Sequence, residues 1–440
     1  MKKNWATAGL ALVLTAGLAA GCGGSNDTPA QGAPSAGTAA GTASPATKKN
    51  ATVKIFQFKV EIAEQMNKMK AEYEASHPGV KLEIETVGGG ADYGAALKAK
   101  FAANEAPDIF NVGGYSERDV WLEHLEDLTA EPWVKNVVEV AKEPMQKDGK
   151  LYGMPLGIEG YGYVYNKELF AKAGIKDLPK TLSQLEEAAK KLQAAGITPF
   201  ANGYQEWWIL GLHNLNVAFA NQKPAPDAFI KGLNDGSQKF KGNAVMDNWL
   251  KLFDLTLKYG NKNPLTTDYN SQVTLFAKGE TAMMQQGNWT QVQINGINPN
   301  IKLGLLPMPI GEDAAEGDKI LTGVPNNWVI WNKSKVKPEA KEFLNWLVSS
   351  DAGKKYITKE FKFIPALTNI PADPADLGEI AAEITRYSKD NKLLSWNFMK
   401  FPDGAGQEFG ASMQAYAAGK SSKDQLFDAF QKTWDNLKKK

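Results

Sequence analysis

TVKIFQFKVEIAEQMNKMKAEYEASHPGVKLEIETV, residues 52–87, carries three elements in succession. TVKIFQF (52–58) is rich in β-branched and aromatic residues and reads as a strand. Ile62, Met66, Met69 and Tyr73 then recur at helical spacing, and Pro78-Gly79 stops the helix. VKLEIETV (80–87) alternates apolar and polar residues, the pattern of a second strand. Two strands joined through a helix run parallel, with the helix packed on the sheet. The stretch therefore sets the class as α/β.

The same alternation continues toward the C-terminus. Gly88–Gly90 lead into a helix around Tyr93 to Ala103, and a short buried strand spans Asp108 to Val112 before Gly113-Gly114. GYGYVYNKELF (160–170) resumes the pattern, and Thr181 with Gln184 has capping-box spacing at the head of a helix. IKLGLLPMP (301–309) and WVIWN (328–332) are further strand candidates. Helices are expected over Pro338–Val348, Ala375–Lys389 and Asp424–Leu437. No repeat of solenoid period is present.

Toward the N-terminus the chemistry changes. Lys2 and Lys3 precede an uncharged run from Trp5 to Gly21, too short for the ~20 residues of a membrane-spanning helix. Small residues lead up to Cys22, the single cysteine of the chain. A basic start, a short apolar middle and a small-residue exit make an export signal, here residues 1–21. Leu18-Ala19-Ala20-Gly21-Cys22 resembles the lipobox of bacterial lipoproteins, with Ala19 where the family usually has an aliphatic residue. The resemblance implies that the Cys22 thiol carries diacylglycerol. An ordinary secretory signal with a chance cysteine is the alternative. Residues 23–50 are rich in Gly, Ser, Ala, Thr and Pro and lack any large apolar side chain, so 22–50 reads as anchor plus disordered linker. Such a tether has a typical reach of about 30 Å.

The remaining length exceeds what one core usually covers, so two domains are expected. The 440 residues carry 50 Lys+Arg against 49 Asp+Glu, a balance that gives no reason to expect nucleic acid. With one cysteine, the fold stands without internal disulfides. His77, His124 and His213 are scattered and lack metal-ligand spacing, which favours surface or locally bonded roles and no metal or cofactor. Gly419-Lys420-Ser421 lacks the leading glycine of a phosphate loop, because position 414 is Gln. No G-x-S-x-G elbow is present, and no local pattern marks a glycosidase carboxylate pair. An enzyme is not expected.

Several separated blocks resemble the extracellular solute-binding proteins of ABC importers, in the sugar-binding group that includes maltose-binding protein. These are LKAKFAANEAPDIFNVGG (97–114), GKLYGMPLGIEGYGYVYNKELFAKAGI (149–175), LFAKGETAMMQQGNWT (275–290) and GVPNNWVIWNKSKVKPEAKEFLNWLVSSDAGKKYI (323–357). The tail AYAAGKSSKDQLFDAFQKTWDNL matches in type. Glu105 stands where the family often has Gly. The resemblance implies a two-lobed periplasmic-binding-protein-like fold of type II, with the ligand cleft between lobes and multiple hinge crossings. It implies crossings near Leu156–Tyr161, Leu306–Gly311 and Pro365–Ala372. Lobe 1 would then hold 51–157 plus 310–367, and lobe 2 would hold 158–309 plus 368–440. It further implies a monomeric, lipid-anchored receptor on the outer face of the cytoplasmic membrane (periplasmic if there are two membranes). Such a receptor delivers an oligosaccharide to a two-subunit ABC permease with a cytoplasmic ATPase.

A sugar ring offers an apolar face and a belt of hydroxyls, so its site needs aromatic planes and planar polar groups. Such ligands meet the carboxyl ends of strands. That placement selects Gln57, Lys59 and Glu61 after the first strand, Asn111 and Tyr115 after the third, and Glu159 and Tyr161 at the first crossing. By the resemblance, Glu159 falls on a site carboxylate and Asn202, Tyr204 and Trp207 fall near a cluster of acid and aromatics. Trp289 falls on a stacking tryptophan, and Trp396 with Asp403 near the last stacking position. Trp208 adjoins Trp207; on a helix the two point about 100° apart, one toward the core and one toward the cleft. Asn326 and Trp328 stand at a strand end, in the site or interior. For each residue, packing is the competing role. A polyamine, peptide or chelate receptor, a lipid-anchored glycosidase and a surface adhesin are the competing functions.

Overall fold

The computed structural model describes residues 50–438, so the expected signal, Cys22 and the linker up to residue 49 lie outside the described residues. The quoted stretch forms a parallel pair: Ala51–Gln57 lies beside Val80–Thr86 in register Ala51↔Val80. The helix Ala63–Ser76 crosses between them and buries Met66, Met69 and Tyr73. Ile62 lies just before it, in a 3-10 turn. Ile109–Val112 adds to the other edge of Ala51–Gln57 in parallel, and Asn327–Ile330 then joins antiparallel, followed by Met154–Pro155. Apolar residues of these five strands and their helices form one core, drawn from residues 53–156 and 324–370.

A second sheet is built on Glu159–Asn166, every residue of which is buried. Thr281–Gly287 runs antiparallel along one edge and Thr198–Ala201 lies beyond it. Two strands share the opposite edge. Leu303–Leu306 covers Tyr163 to Asn166, and Ile320–Gly323 covers Glu159 to Tyr161. Leu393–Ser395 closes that side. The second core takes its residues from 161–321 and 380–434.

The chain therefore passes between the cores three times: between Leu156 and Tyr161, between Leu321 and Val324, and between Ile370 and Ile380. The crossing strands are tied together, Leu156 N donating to Asn326 O (2.9 Å) and Ile158 N to Ile364 O (2.8 Å). The middle crossing differs from the expected Leu306–Gly311. Residues 310–323 stay with the second core, because Ile320–Gly323 pairs with Glu159–Tyr161. The helix expected over Ala375–Lys389 is two helices, Pro374–Leu377 and Glu379–Lys389, broken at Gly378. At Thr181 the hydroxyl accepts from Gln184 N (3.2 Å), and Gln184 Oε1 accepts from Lys180 N. Among the described residues, no helix is long and apolar enough to cross a membrane.

Candidate functional site

Between the two cores lies a cleft of about 550 Å³, lined by strand ends and loops from both. Its first wall begins where Ala51–Gln57 ends. Lys59 N donates to Gln57 Oε1 (2.6 Å), and Gln57 Nε2 donates to Lys59 O and to Thr86 Oγ1. Gln57 thus fixes the turn that projects Phe58–Glu61 into the cleft and does not itself line it. Asn111 braces the same turn, its Oδ1 accepting from Phe58 N (3.2 Å).

Lys59 is 4% exposed and is the charged centre of the site. Its Nζ lies 3.2 Å from Glu61 Oε1, pairs with Glu159 Oε1 at the first crossing, and stands 5.7 Å from the Trp289 ring centroid. Burial alone would push the ammonium down, but Glu159 and Glu61 more than offset this and hold it above the ordinary lysine value. Farther along the wall, the Glu117 carboxylate accepts from Gly113 N (2.6 Å). Burial pushes this carboxyl up to about 7; the Gly113 bond opposes the rise and nearby Asp403 adds to it. At the rim the cores touch directly: Lys98 Nζ meets Asp403 Oδ2 at 3.0 Å, and Gln407 Nε2 donates to Asp92 Oδ2 at 2.7 Å.

The opposite wall is aromatic. Trp289 follows the strand Thr281–Gly287; its indole N–H donates to Gln286 Oε1 (2.8 Å). A Cβ on Gly287 would collide with the Trp289 ring and with Gly160 O, so this approach needs glycine. Trp207 and Trp208 open a helical segment standing in the wall, and both line the cleft, against the expectation that one would face the core. The segment continues as a π-helix, Ile209–Asn214, which brings Leu212 and His213 into the cavity as well. Gly211 makes this possible, since a Cβ there would collide with Gly406 O and Gly410 N of the helix Ala405–Ala417. Trp396 is held over Gly323 at the middle crossing, its backbone N–H donating to Thr322 O (3.1 Å). The buried indole Nε1 of Trp396 has no partner. Such an orphan donor costs about 1–3 kcal/mol unless a guest satisfies it.

Eight of the residues selected from the sequence thus meet around one cavity: Lys59, Glu61, Glu159, Trp207, Trp208, Trp289, Trp396 and Asp403. The other eight do not line it. Besides Gln57 and Asn111, Tyr161 lies beneath the floor, its hydroxyl donating to His213 O (2.7 Å). Asn202 Nδ2 donates to Thr256 O, and the Tyr204 hydroxyl is 2.6 Å from Thr256 Oγ1, so both fasten a buried turn. Asn326 is buried at the hinge, and Trp328 stacks on Phe343 inside the first core (5.7 Å). The Tyr115 ring sits under Lys400 Nζ (5.2 Å). The sequence reading missed His213, Glu117, Tyr269, Phe398, Tyr93 and Gln407. Among the described residues, no three His, Cys, Asp or Glu converge as metal ligands.

The arrangement can grip a flat amphipathic guest between indole faces and a charged polar wall. Known proteins resemble this chain in sequence and fold. The multiple sugar-binding protein of Streptococcus mutans is 23% identical over 321 residues, covering 71% of this chain and 75% of the relative. The melibiose/raffinose/stachyose-binding protein MelE of Bacillus subtilis is 24% identical over 323 residues, covering 70% and 71%. The structure of RafE in complex with raffinose shares the fold with a TM-score of 0.77 at 22% identity, covering 88% of this chain and 100% of that one. The model of the family described as bacterial extracellular solute-binding protein matches residues 59–354. That segment is more than half of the chain, and the protein belongs to this family.

Proposed function

We propose that the protein is a lipid-anchored receptor that captures an oligosaccharide in the cleft and delivers it, unaltered, to an ABC import permease. The observation that carries the reading is the meeting in one cleft of Trp208, Trp289 and Trp396 with Lys59 and Glu61 of the opposite wall and Glu159 at the first crossing. Indole planes stack on sugar faces, and charged planar groups bond hydroxyls. The named ligands of MelE, RafE and the Streptococcus mutans relative are sugars, which supports the same class here. A polyamine would need free carboxylates, whereas Glu61 and Glu159 converge on Lys59, Asp403 pairs with Lys98, and the buried Glu117 carboxyl, pushed up to about 7, is tied to Gly113 N. A glycosidase would need two carboxyls free to act on one bond, and the same ion pairs argue against that role.

In this reading the sugar touches both lobes, which hinge at the three crossings, and so favours the closed form. Diacylglycerol on Cys22 holds a monomer on the outer face of the cytoplasmic membrane. The linker gives it reach to a two-subunit permease driven by a cytoplasmic ATPase. Calorimetric titration with raffinose, stachyose and maltotriose tests the receptor reading. Saturable binding with the sugar recovered intact is expected; heat without saturation for every sugar, or hydrolysed product, would overturn it.

A further inference from the structure

No sequence pattern marks His213 for binding, yet its imidazole lies at the centre of the aromatic wall. The ring stacks on Tyr161 with centroids 4.7 Å apart. Trp208, Trp289, Trp396 and Phe398 stand 5.2–5.3 Å away, the first nearly edge-on. The side chain lines the cleft and is only 9% exposed. Among the described residues, neither ring nitrogen has a hydrogen-bond partner; its close neighbours are ring faces and edges. Neither nitrogen is a fully buried orphan, so both keep access from the cleft that the ring lines. Only the cavity side is left.

We propose that His213 reads the bound sugar directly, its imidazole hydrogen-bonding a hydroxyl at the aromatic end of the cleft. This rests on the receptor reading above. Three independent features support it. The π-turn Ile209–Asn214 aims the side chain, and such turns are frequent at functional sites. Trp396 Nε1, a neighbouring buried donor, also lacks a partner, so one guest could satisfy both. Burial, with a smaller push from the Lys59 ammonium, takes the imidazolium down to about 3. The ring therefore stays neutral near pH 7 and offers one donor and one acceptor, as a sugar hydroxyl does. The charged groups nearby are Lys59 and its partners Glu61 and Glu159, with the Tyr161 phenol beneath.

Two variants test the proposal: His213→Leu, which keeps bulk but no polar atom, and His213→Gln, which keeps a donor and an acceptor. Raffinose, stachyose and maltotriose are titrated calorimetrically into each full-length protein. For the best-bound sugar, His213→Leu should lose roughly tenfold or more in affinity, the scale of an unmet buried polar group. His213→Gln should recover most of that loss. If His213→Leu matches wild type, within about twofold, for every sugar that wild type binds, this proposal falls while the receptor reading stands. Failure of wild type to bind any of the sugars overturns both. Should the variants misfold, the wild-type protein still decides. It has three histidines, and His77 and His124 belong to the first lobe. The His213 imidazole resonance should move on saturation with sugar and should not titrate between pH 5 and 8. A resonance indifferent to sugar overturns the proposal.

Discussion

Replacing Lys59 with Met keeps the length of the side chain and removes its charge. The ammonium now sits between two carboxylates whose side chains, like its own, are 5–7% exposed. Removing one member of a buried ionic group leaves the others uncompensated, typically at 3–5 kcal/mol. The loss should depend on pH, and its sign follows from burial. In the variant, Glu159 keeps the desolvation that pushes its carboxyl up and loses the Lys59 contact that pulls it down. Its folded pKa, already raised in wild type by burial, then rises further above the unfolded value of about 4.3. A group shifted this way favours folding below its unfolded pKa, and the benefit fades as pH rises through the folded value. The variant should therefore be hurt more at pH 8 than at pH 5, by about 1.4 kcal/mol for each pH unit of that further shift. Lys59 in wild type is raised above the ordinary lysine range and contributes equally at both pH values. Urea unfolding followed by tryptophan fluorescence, at pH 5 and pH 8, measures both effects. A deficit below about 1 kcal/mol that is the same at the two pH values would refute the ionic account of this site.

Three further outcomes are expected. Trp289→Ala should cost about 1–3 kcal/mol of sugar binding as the loss of a buried aromatic anchor; calorimetry that finds every affinity unchanged would remove Trp289 from the site. Glu117, pushed up to about 7 by burial, favours the described conformation fully below its unfolded pKa and less as pH climbs through 7. Glu117→Gln should thus flatten the fall in thermal midpoint between pH 5 and 8, and identical slopes in wild type and variant would dismiss it. Cys22→Ala should move the protein from the membrane fraction to the soluble one, as seen by fractionation and immunoblot; unchanged membrane retention would rule out the thioether anchor.

What could be read from the sequence was whatever repeats or clusters. The strands at 51–57 and 80–86 and the helix between them follow from alternation and helical spacing alone. Trp289 stood out because Gln285, Gln286 and Asn288 surround it, an odd setting for plain core. Ile320–Gly323 was missed because only two of its four residues are fully buried; it is placed by pairing with a distant strand. His213 escaped because residues five apart lie on different faces of an α-helix, whereas the π-turn brings Trp208 and His213 together. Asn202 and Tyr204 show the opposite error. Polar and aromatic side chains that satisfy a buried turn have the same composition as those that hold a guest.

The interleaving of the two cores also orders events in time. The first sheet lacks an inner strand until Asn327–Ile330 has been made, and the second lacks its edge until Leu393–Ser395 follows. Neither core can close on a partial chain. Contacts this distant in sequence slow folding, and here the delay extends almost to the last helix, Lys423–Leu437. If the chain is exported unfolded, as the proposed receptor reading would allow, such lateness would keep the polypeptide threadable until its far end has been released.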